Sequence, residues 1–342
     1  MARKIPYWHP QVEHFDLLPK LSGNEFNGVG EPVPRRPRQI FWLKRTAGHP
    51  FGRLQDAVVD RYNGVPALYE VFANADRGPR PRSVPEAIRN VQPAEEWARQ
   101  VKEFALANEA DLVGIARSDS AWFYEGYEAD LPFVIVFALA MDYEMLTQQP
   151  STFENPIAQV EVANQYNRGA RVVARTADWL LERGYRARMH AGPWVHGLAL
   201  VPAAIAAGMG ELGKHGSLIN RALGSSFRLA AVETDMPLAV DTPDRFGADE
   251  FCARCQVCTD ACPPGAIHND KGMVRGVQKW WVDFDKCIPY FNETFGCAIC
   301  LAVCPWSKPG RAPSLAEKWS IRAAAKSEND GEATHADLGK RA

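Results

Sequence analysis

The chain has no cysteine before Cys252, no apolar run long enough to cross a membrane, and no excess of either charge. Lys and Arg total 39 against 41 Asp and Glu, a formal net charge of −2. A balance so near zero argues against a protein built mainly to grip nucleic acid or an anionic membrane. The longest apolar stretch, Leu131 to Met141, falls far short of the ~20 residues a membrane helix needs. It reads instead as a buried strand rich in Val, Ile and Phe. The opening segment MARKIPYWHPQVEHFDLLPK holds no apolar core of a signal peptide, and the Arg35-Arg36 pair lacks the hydrophobic segment a twin-arginine signal requires. A cytoplasmic protein is therefore expected, in which thiols stay reduced and bind metal rather than pair. No Gly-x-Gly-x-x-Gly follows a strand, so a dinucleotide-binding domain is not indicated.

What is present is an ordinary globular composition, 46% hydrophobic and 23% charged over 342 residues, enough for one large domain or two smaller ones. Residues 1–92, rich in Pro, Gly and Arg, predict an irregular arm wrapped over a core. Residues 93–247 predict the larger domain: a helix over Ala94 to Ala107, strands over Asp111 to Ala116 and over 131–141, and a long helix from Val160 to Arg183. In that long helix Val162, Tyr166, Ala170, Val173, Ala177 and Leu180 form one apolar stripe, and Gly184 ends it. A further helix over 198–207, a Gly-rich segment over 207–220 and a strand within 228–240 complete the domain. Residues 248–312 form a cysteine module, and 313–342 a polar tail.

All eight cysteines lie between Cys252 and Cys304. Cys252, Cys255, Cys258 and Cys262-Pro263 follow C-x2-C-x2-C-x3-C-P, the spacing by which bacterial two-cluster ferredoxins hold 4Fe–4S clusters. A second run comprises Cys287, Cys297, Cys300 and Cys304-Pro305. Under the crossing rule of such modules, in which the fourth cysteine ligates the other cluster, Cys252, Cys255, Cys258 and Cys304 hold one cluster. Cys287, Cys297, Cys300 and Cys262 then hold the second, and no cysteine is left over. Two zinc sites are the alternative, but zinc modules use separated C-x2-C pairs. Two clusters in series make a one-electron wire, and the large preceding domain implies a redox centre at its end.

In the order of its features the sequence resembles the cobalamin-dependent reductive dehalogenases. The matching pieces are Met141-Asp142-Tyr143, the helix carrying Tyr166 and ending Arg183-Gly184-Tyr185-Arg186-Ala187, the segment Ala207-Gly208-Met209-Gly210-Glu211-Leu212-Gly213-Lys214, and Gly224 to Arg228. Thr234-Asp235-Met236-Pro237-Leu238 and the cluster run from Phe251 to Pro305 follow. The resemblance covers roughly residues 93–312 and implies an α+β chain, with a nitroreductase-like, cobalamin-binding α/β domain before a two-cluster ferredoxin-like domain. It implies replacement of a carbon-bound halogen by hydrogen, with two electrons and one proton, on a small organohalide. The proton donor of the family falls on Tyr166 and its cationic partner on Arg228, with Lys214 as the rival cation. On pattern alone Tyr166 reads as a packed core tyrosine and Arg228 as a solvated strand-end residue. An unperturbed phenol has a pKa near 10 and keeps its proton at neutral pH, and a guanidinium nearby stabilises the phenolate left after transfer.

The resemblance also places the corrin against Gly208, Gly210, Leu212, Gly213, Lys214, His215, Gly216, Leu218 and Ile219, where glycines permit close backbone approach. Met141, Tyr143, His190, Trp194 and, less directly, His196 are further candidates for the pocket. Gly192-Pro193-Trp194 stands where the family often has an Asn, which leaves the organohalide unspecified. With no flavin or nicotinamide motif, an external low-potential donor such as a ferredoxin or flavodoxin is expected. Nothing in the sequence sets an oligomeric state. The rival readings are a tRNA-modifying epoxyqueuosine reductase and a non-catalytic electron carrier. The first expects an Asp-Tyr-His stretch where this chain has Gln165-Tyr166-Asn167, and no nucleic-acid partner is expected.

Overall fold

The computed structural model describes residues 16–76, 78, 89–193 and 197–322. Within the N-terminal segment the expected irregular course is interrupted by a single helical turn at Gly23–Phe26 and by two longer helices, α1 (Gly52–Asn63) and α2 (Pro66–Ala73). Leu54, Val58 and Tyr62 recur every four residues along α1 and all point into the protein.

The larger domain starts with α3 (Ala94–Ala107), whose Glu95 and Glu96 lie in the first turn, where carboxylates favour the positive end of the helix dipole. Then come β1 (Leu112–Arg117), β2 (Phe133–Ala140), the long α4 (Ile157–Glu182), β3 (Ala187–His190) and α5 (Leu200–Ala206). A short hairpin, β4 (Glu211–Leu212) with β5 (Leu218–Ile219), precedes β6 (Phe227–Thr234). The sheet order is β1-β2-β6-β3 with antiparallel neighbours throughout.

Strand β2 is apolar along its whole length because helices cover both of its faces. Ile135, Phe137 and Leu139 pack with Trp97 and Val101 of α3 and Val172 and Leu180 of α4, while Val134, Val136 and Ala138 pack with Ala203 and Ala204 of α5. Gly169 lets α4 approach the sheet: a Cβ there would stand 3.3 Å from Ala230 and 3.5 Å from Leu139. Arg228, the second residue of β6, lies opposite Leu139, whose side chain packs against α4, and its guanidinium reaches Tyr166 of that helix.

The cysteine module follows as α6 (Ala248–Arg254), α7 (Val257–Ala261), the hairpin β7 (Gly272–Val274) and β8 (Val277–Lys279), α8 (Phe284–Glu293) and α9 (Ile299–Ala302). Residues 311–322 are helical and bury Ala312 and Ala316 against Phe246 and Trp306, so order runs past the start of the expected tail. The N-terminal segment is tied to this module. Asp285 accepts from Ser22 Oγ at 2.5 Å and from the Gly23 N–H at 2.6 Å, and the Tyr62 hydroxyl donates to the Phe295 carbonyl at 2.6 Å. Among the described residues, no helix is long and apolar enough to cross a membrane.

Candidate functional site

All eight cysteines are free thiols, buried or half-buried. Their electrostatic neighbours sort them into two groups. Cys252 has Cys304, Cys258 and Cys255 beside it, and Cys304 has Cys258 and Cys255. Cys287 has Cys297 and Cys262, while Cys300 has Cys297, Cys287 and Cys262 and also meets Cys258 of the other group. Cys252, Cys255, Cys258 and Cys304 thus lie near one another, as do Cys262, Cys287, Cys297 and Cys300. Among the described residues no three His, Cys, Asp or Glu side chains close on a point fit for a single ion.

Burial pushes these thiols up: Cys252, Cys297 and Cys304 to about 12 and Cys258 to about 11. Such thiols hold their protons at neutral pH unless a bound cation compensates the thiolate, and metal coordination does so directly. Backbone N–H groups already face several of the sulfurs, among them Lys214 N at 3.5 Å from Cys252 Sγ and Ala266 N at 3.4 Å from Cys262 Sγ.

The second quartet opens into a cavity of about 380 Å³ that Tyr166, Arg228, Cys262, Cys287, Cys297 and Cys300 all line, a size typical of small-molecule sites. The Arg228 guanidinium lies over the Tyr166 ring, 5.4 Å from its centroid. Gly192 lets the ring lie flat, since a Cβ there would come within 2.3 Å of Tyr166 Cε1. Met141 packs in the same apolar cluster as Tyr166 and Cys300, and the Tyr143 hydroxyl donates to the Ala302 carbonyl at 3.2 Å, fastening this corner to α9.

Lys214 does not join them. It is buried beside the first quartet, donating from Nζ to the Cys255 carbonyl at 2.7 Å and lying 5.1 Å from the Trp280 ring centroid. Of the Gly-rich segment, His215 and Gly216 line the cavity. Gly208 and Gly210 instead press against backbone, where a Cβ would stand 2.5 Å from the Thr242 carbonyl oxygen and 2.0 Å from that of Ile219. Gly213 backs onto the His215 ring, and Leu212, Leu218 and Ile219 pack into apolar clusters. His190 is wholly buried against Glu233, Nε2 to Oε2 2.8 Å, and is not among the cavity's lining residues. Trp194 and His196 lie outside the described residues.

The structure adds walls that the sequence reading did not single out: Trp42, Tyr62, Phe72, Gln159 and Phe291. Gln159, Val162 and Tyr166 stand at i, i+3 and i+7 on α4, a spacing that would have revealed Gln159 as Tyr166's neighbour on one helix face. Three buried polar atoms of lining residues have no partner among the described residues: Gln159 Oε1, His215 Nε2 and Arg228 Nε. Burial lowers His215 to about 4, so its ring is neutral. The Ser217 N–H donates to His215 Nδ1 at 3.2 Å, which places the ring proton on Nε2. Of these three unpartnered atoms, His215 Nε2 and Arg228 Nε are donors and Gln159 Oε1 is an acceptor.

Residues 251–308 match the 4Fe–4S dicluster domain family. A tetrachloroethene reductive dehalogenase of Dehalobacter restrictus is 35% identical over 213 residues, covering 58% of this chain and 37% of that protein. Another, from Sulfurospirillum multivorans, is 30% identical over 265 residues, covering 62% and 50%. An epoxyqueuosine reductase of Leadbetterella byssophila gives a shorter match, 37% identical over 128 residues, covering 32% of this chain and 38% of that protein. The chain thus spans half or less of the length of these curated relatives. Among solved structures, the catabolic reductive dehalogenase NpRdhA in complex with 3-bromo-4-hydroxybenzoic acid superposes with a TM-score of 0.64 at 25% identity, covering 84% of this chain and 42% of that one. A reductive dehalogenase whose structure bears on B12-dependent dehalogenation shares the fold at a TM-score of 0.68, with 23% identity and coverage of 92% and 47%. In sequence and in fold the chain is similar to the reductive dehalogenases, and it carries a 4Fe–4S dicluster domain at its C-terminal side.

Proposed function

We propose that the protein is a reductive dehalogenase that replaces a carbon-bound halogen by hydrogen, consuming two electrons and one proton and releasing halide. The observation that carries this reading is the single cavity shared by Tyr166, Arg228 and four thiols of one quartet. A proton source, a fixed cation and the end of an electron relay meet there.

The residues present fit cobalamin and two cubanes. The peripheral amides and phosphate of a corrin offer acceptors for His215 Nε2–H and Arg228 Nε–H, both otherwise unpaired in the interior, where an unmade hydrogen bond is costly. Gly216 and Ser217 bring backbone to the same wall. Cobalamin, when bound, supplies a metal centre able to break the carbon–halogen bond, and the clusters supply electrons singly. Tyr166 holds the proton at Oη and delivers it to the substrate carbon. Arg228 steadies the phenolate that remains and offers its cation to departing halide. The aromatic walls keep water from competing as proton donor.

The tRNA-modifying reading is less well supported. Asn167 is spent on the Val71 carbonyl at 2.8 Å and Gln165 on Glu161 at 2.9 Å, so neither neighbour of Tyr166 brings an acid to the cavity. A reducing, cytoplasmic setting fits the eight unpaired thiols, and the electron donor in this reading is a ferredoxin or flavodoxin.

The test is a cofactor inventory followed by turnover. Anaerobically reconstituted protein should carry one corrin and two 4Fe–4S clusters per chain, and release halide with a reduced low-potential donor. Protein that takes up no corrin, or that turns over with NADPH alone, would contradict the assignment.

Gly192 yields a second expectation. In Gly192→Ala the new methyl displaces the Tyr166 ring, so halide release should fall at least about tenfold, as misplacement of a reacting group by about an ångström does. Iron and corrin content should stay at wild-type levels. Undiminished turnover would show that the ring need not lie where the structure has it.

A further inference from the structure

Tyr62 and Gln159 form a buried pair whose hydrogen-bond roles are fixed by elimination. The Phe295 carbonyl can only accept, so the Tyr62 hydroxyl spends its single proton on it, at 2.6 Å. The Tyr62 oxygen is then left to accept, and the Gln159 amide meets it at 2.7 Å. Gln159 must therefore turn its NH2 toward Tyr62, which fixes the orientation of the amide and leaves Oε1 on the other side. That oxygen is buried and has no partner among the described residues, and it belongs to a side chain that helps line the cavity. Gly296 keeps the space beside it open, for a Cβ there would stand 3.1 Å from Oε1.

The pair also stands near the reacting groups. Tyr166 and Arg228 are the charged and titratable neighbours that Tyr62 meets across the cavity. Two helical turns separate Gln159 from Tyr166, about 10 Å along α4. An acceptor so placed faces the end of a substrate remote from the carbon that Tyr166 protonates.

We infer that Gln159 is a specificity-determining residue: its Oε1 accepts a hydrogen bond from a hydroxyl or N–H carried by the organohalide away from the halogen, and Tyr62 is the positioning residue that holds the amide in that orientation. This rests on the dehalogenase reading and narrows it to halogenated compounds bearing a donor group, such as halophenols, over halides without one. A substrate lacking the donor leaves a buried acceptor unsatisfied, and sites built to pair a substrate hydroxyl reject such analogues strongly.

The test uses holoprotein and the pair para-bromophenol and para-bromoanisole, which differ by one methyl that removes the donor. Wild type should bind the phenol at least about tenfold more tightly by calorimetric titration, and favour it by a similar factor in kcat/KM for bromide release. In Gln159→Leu both ratios should fall to near one. In Tyr62→Phe, which frees the amide to rotate, the ratios should fall part of the way, and iron and corrin content checks that each variant is folded. A wild-type ratio of one, or a ratio that survives Gln159→Leu, overturns the inference. So does weakened uptake of hydroxocobalamin by Gln159→Leu with the ratio intact, because the donor would then be a corrin amide. Should wild type release bromide from neither compound, the dehalogenase reading fails, and the binding ratio still decides the role of Gln159.

Discussion

Tyr166→Phe should reduce halide release by about a hundredfold or more, the range in which a positioned general acid contributes, while iron, sulfide and corrin contents remain those of wild type. The substitution is narrow because the structure separates what the ring does from what the hydroxyl does. The ring packs with Met141, Leu301 and Cys300, lies against Gly192 and sits under the Arg228 guanidinium. Phe keeps all of these contacts and removes only Oη with its proton. Turnover in deuterium oxide checks the role directly, since wild type should place solvent deuterium on the carbon that lost halogen. If Tyr166→Phe turned over at the wild-type rate, the proton would come from elsewhere in the cavity and the pairing with Arg228 would be structural.

The parts of this site that a linear reading exposes are those whose chemistry is local. Cluster ligands must converge on one loop, so Cys252, Cys255 and Cys258 announce themselves by spacing, and helix α3 is legible to the residue because acids open it and an apolar stripe runs through it. The same reading failed where tertiary contact decides. Gly208 and Gly210 look like residues cleared for a flat ligand, yet their missing side chains make room for the backbone at Thr242 and Ile219. His190 stands beside an Ala-Gly-Pro turn and looked available, but β3 lies against β6 and turns it onto Glu233. Tyr62 could not be read as a cavity wall, since nothing along the chain says that α1 meets the loop carrying Phe295, more than two hundred residues away. Gln159 is the intermediate case: its helical register with Tyr166 was visible, but its buried oxygen matters only once Tyr62 stands beside it.

The two quartets should respond differently to loss of one ligand. Cys258→Ala and Cys300→Ala each remove one thiolate, and each should lower bound iron and acid-labile sulfide toward half the wild-type value. The first quartet lies behind an exposed stretch, with Ala253, Arg254, Gln256 and Val257 open to solvent around Cys255, so in the proposed reading an external donor would reach this quartet first. The second lines the cavity with Tyr166. Cys258 is among the electrostatic neighbours of Cys300, as the proposed relay in series requires. Turnover driven by reduced ferredoxin should therefore fall by about a hundredfold or more in both variants, a loss comparable to removing the general acid. A small diffusible reductant should separate them: it bypasses the outer relay and restores a large part of the rate to Cys258→Ala, whereas Cys300→Ala stays slow because the cavity has lost its adjacent relay. Electron paramagnetic resonance of the reduced proteins should show one cluster signal in each variant and two interacting signals in wild type. Equal rescue of both variants would mean that electrons reach the cavity by a route other than the two quartets, and an unchanged ferredoxin-driven rate in Cys258→Ala would remove the outer quartet from that route.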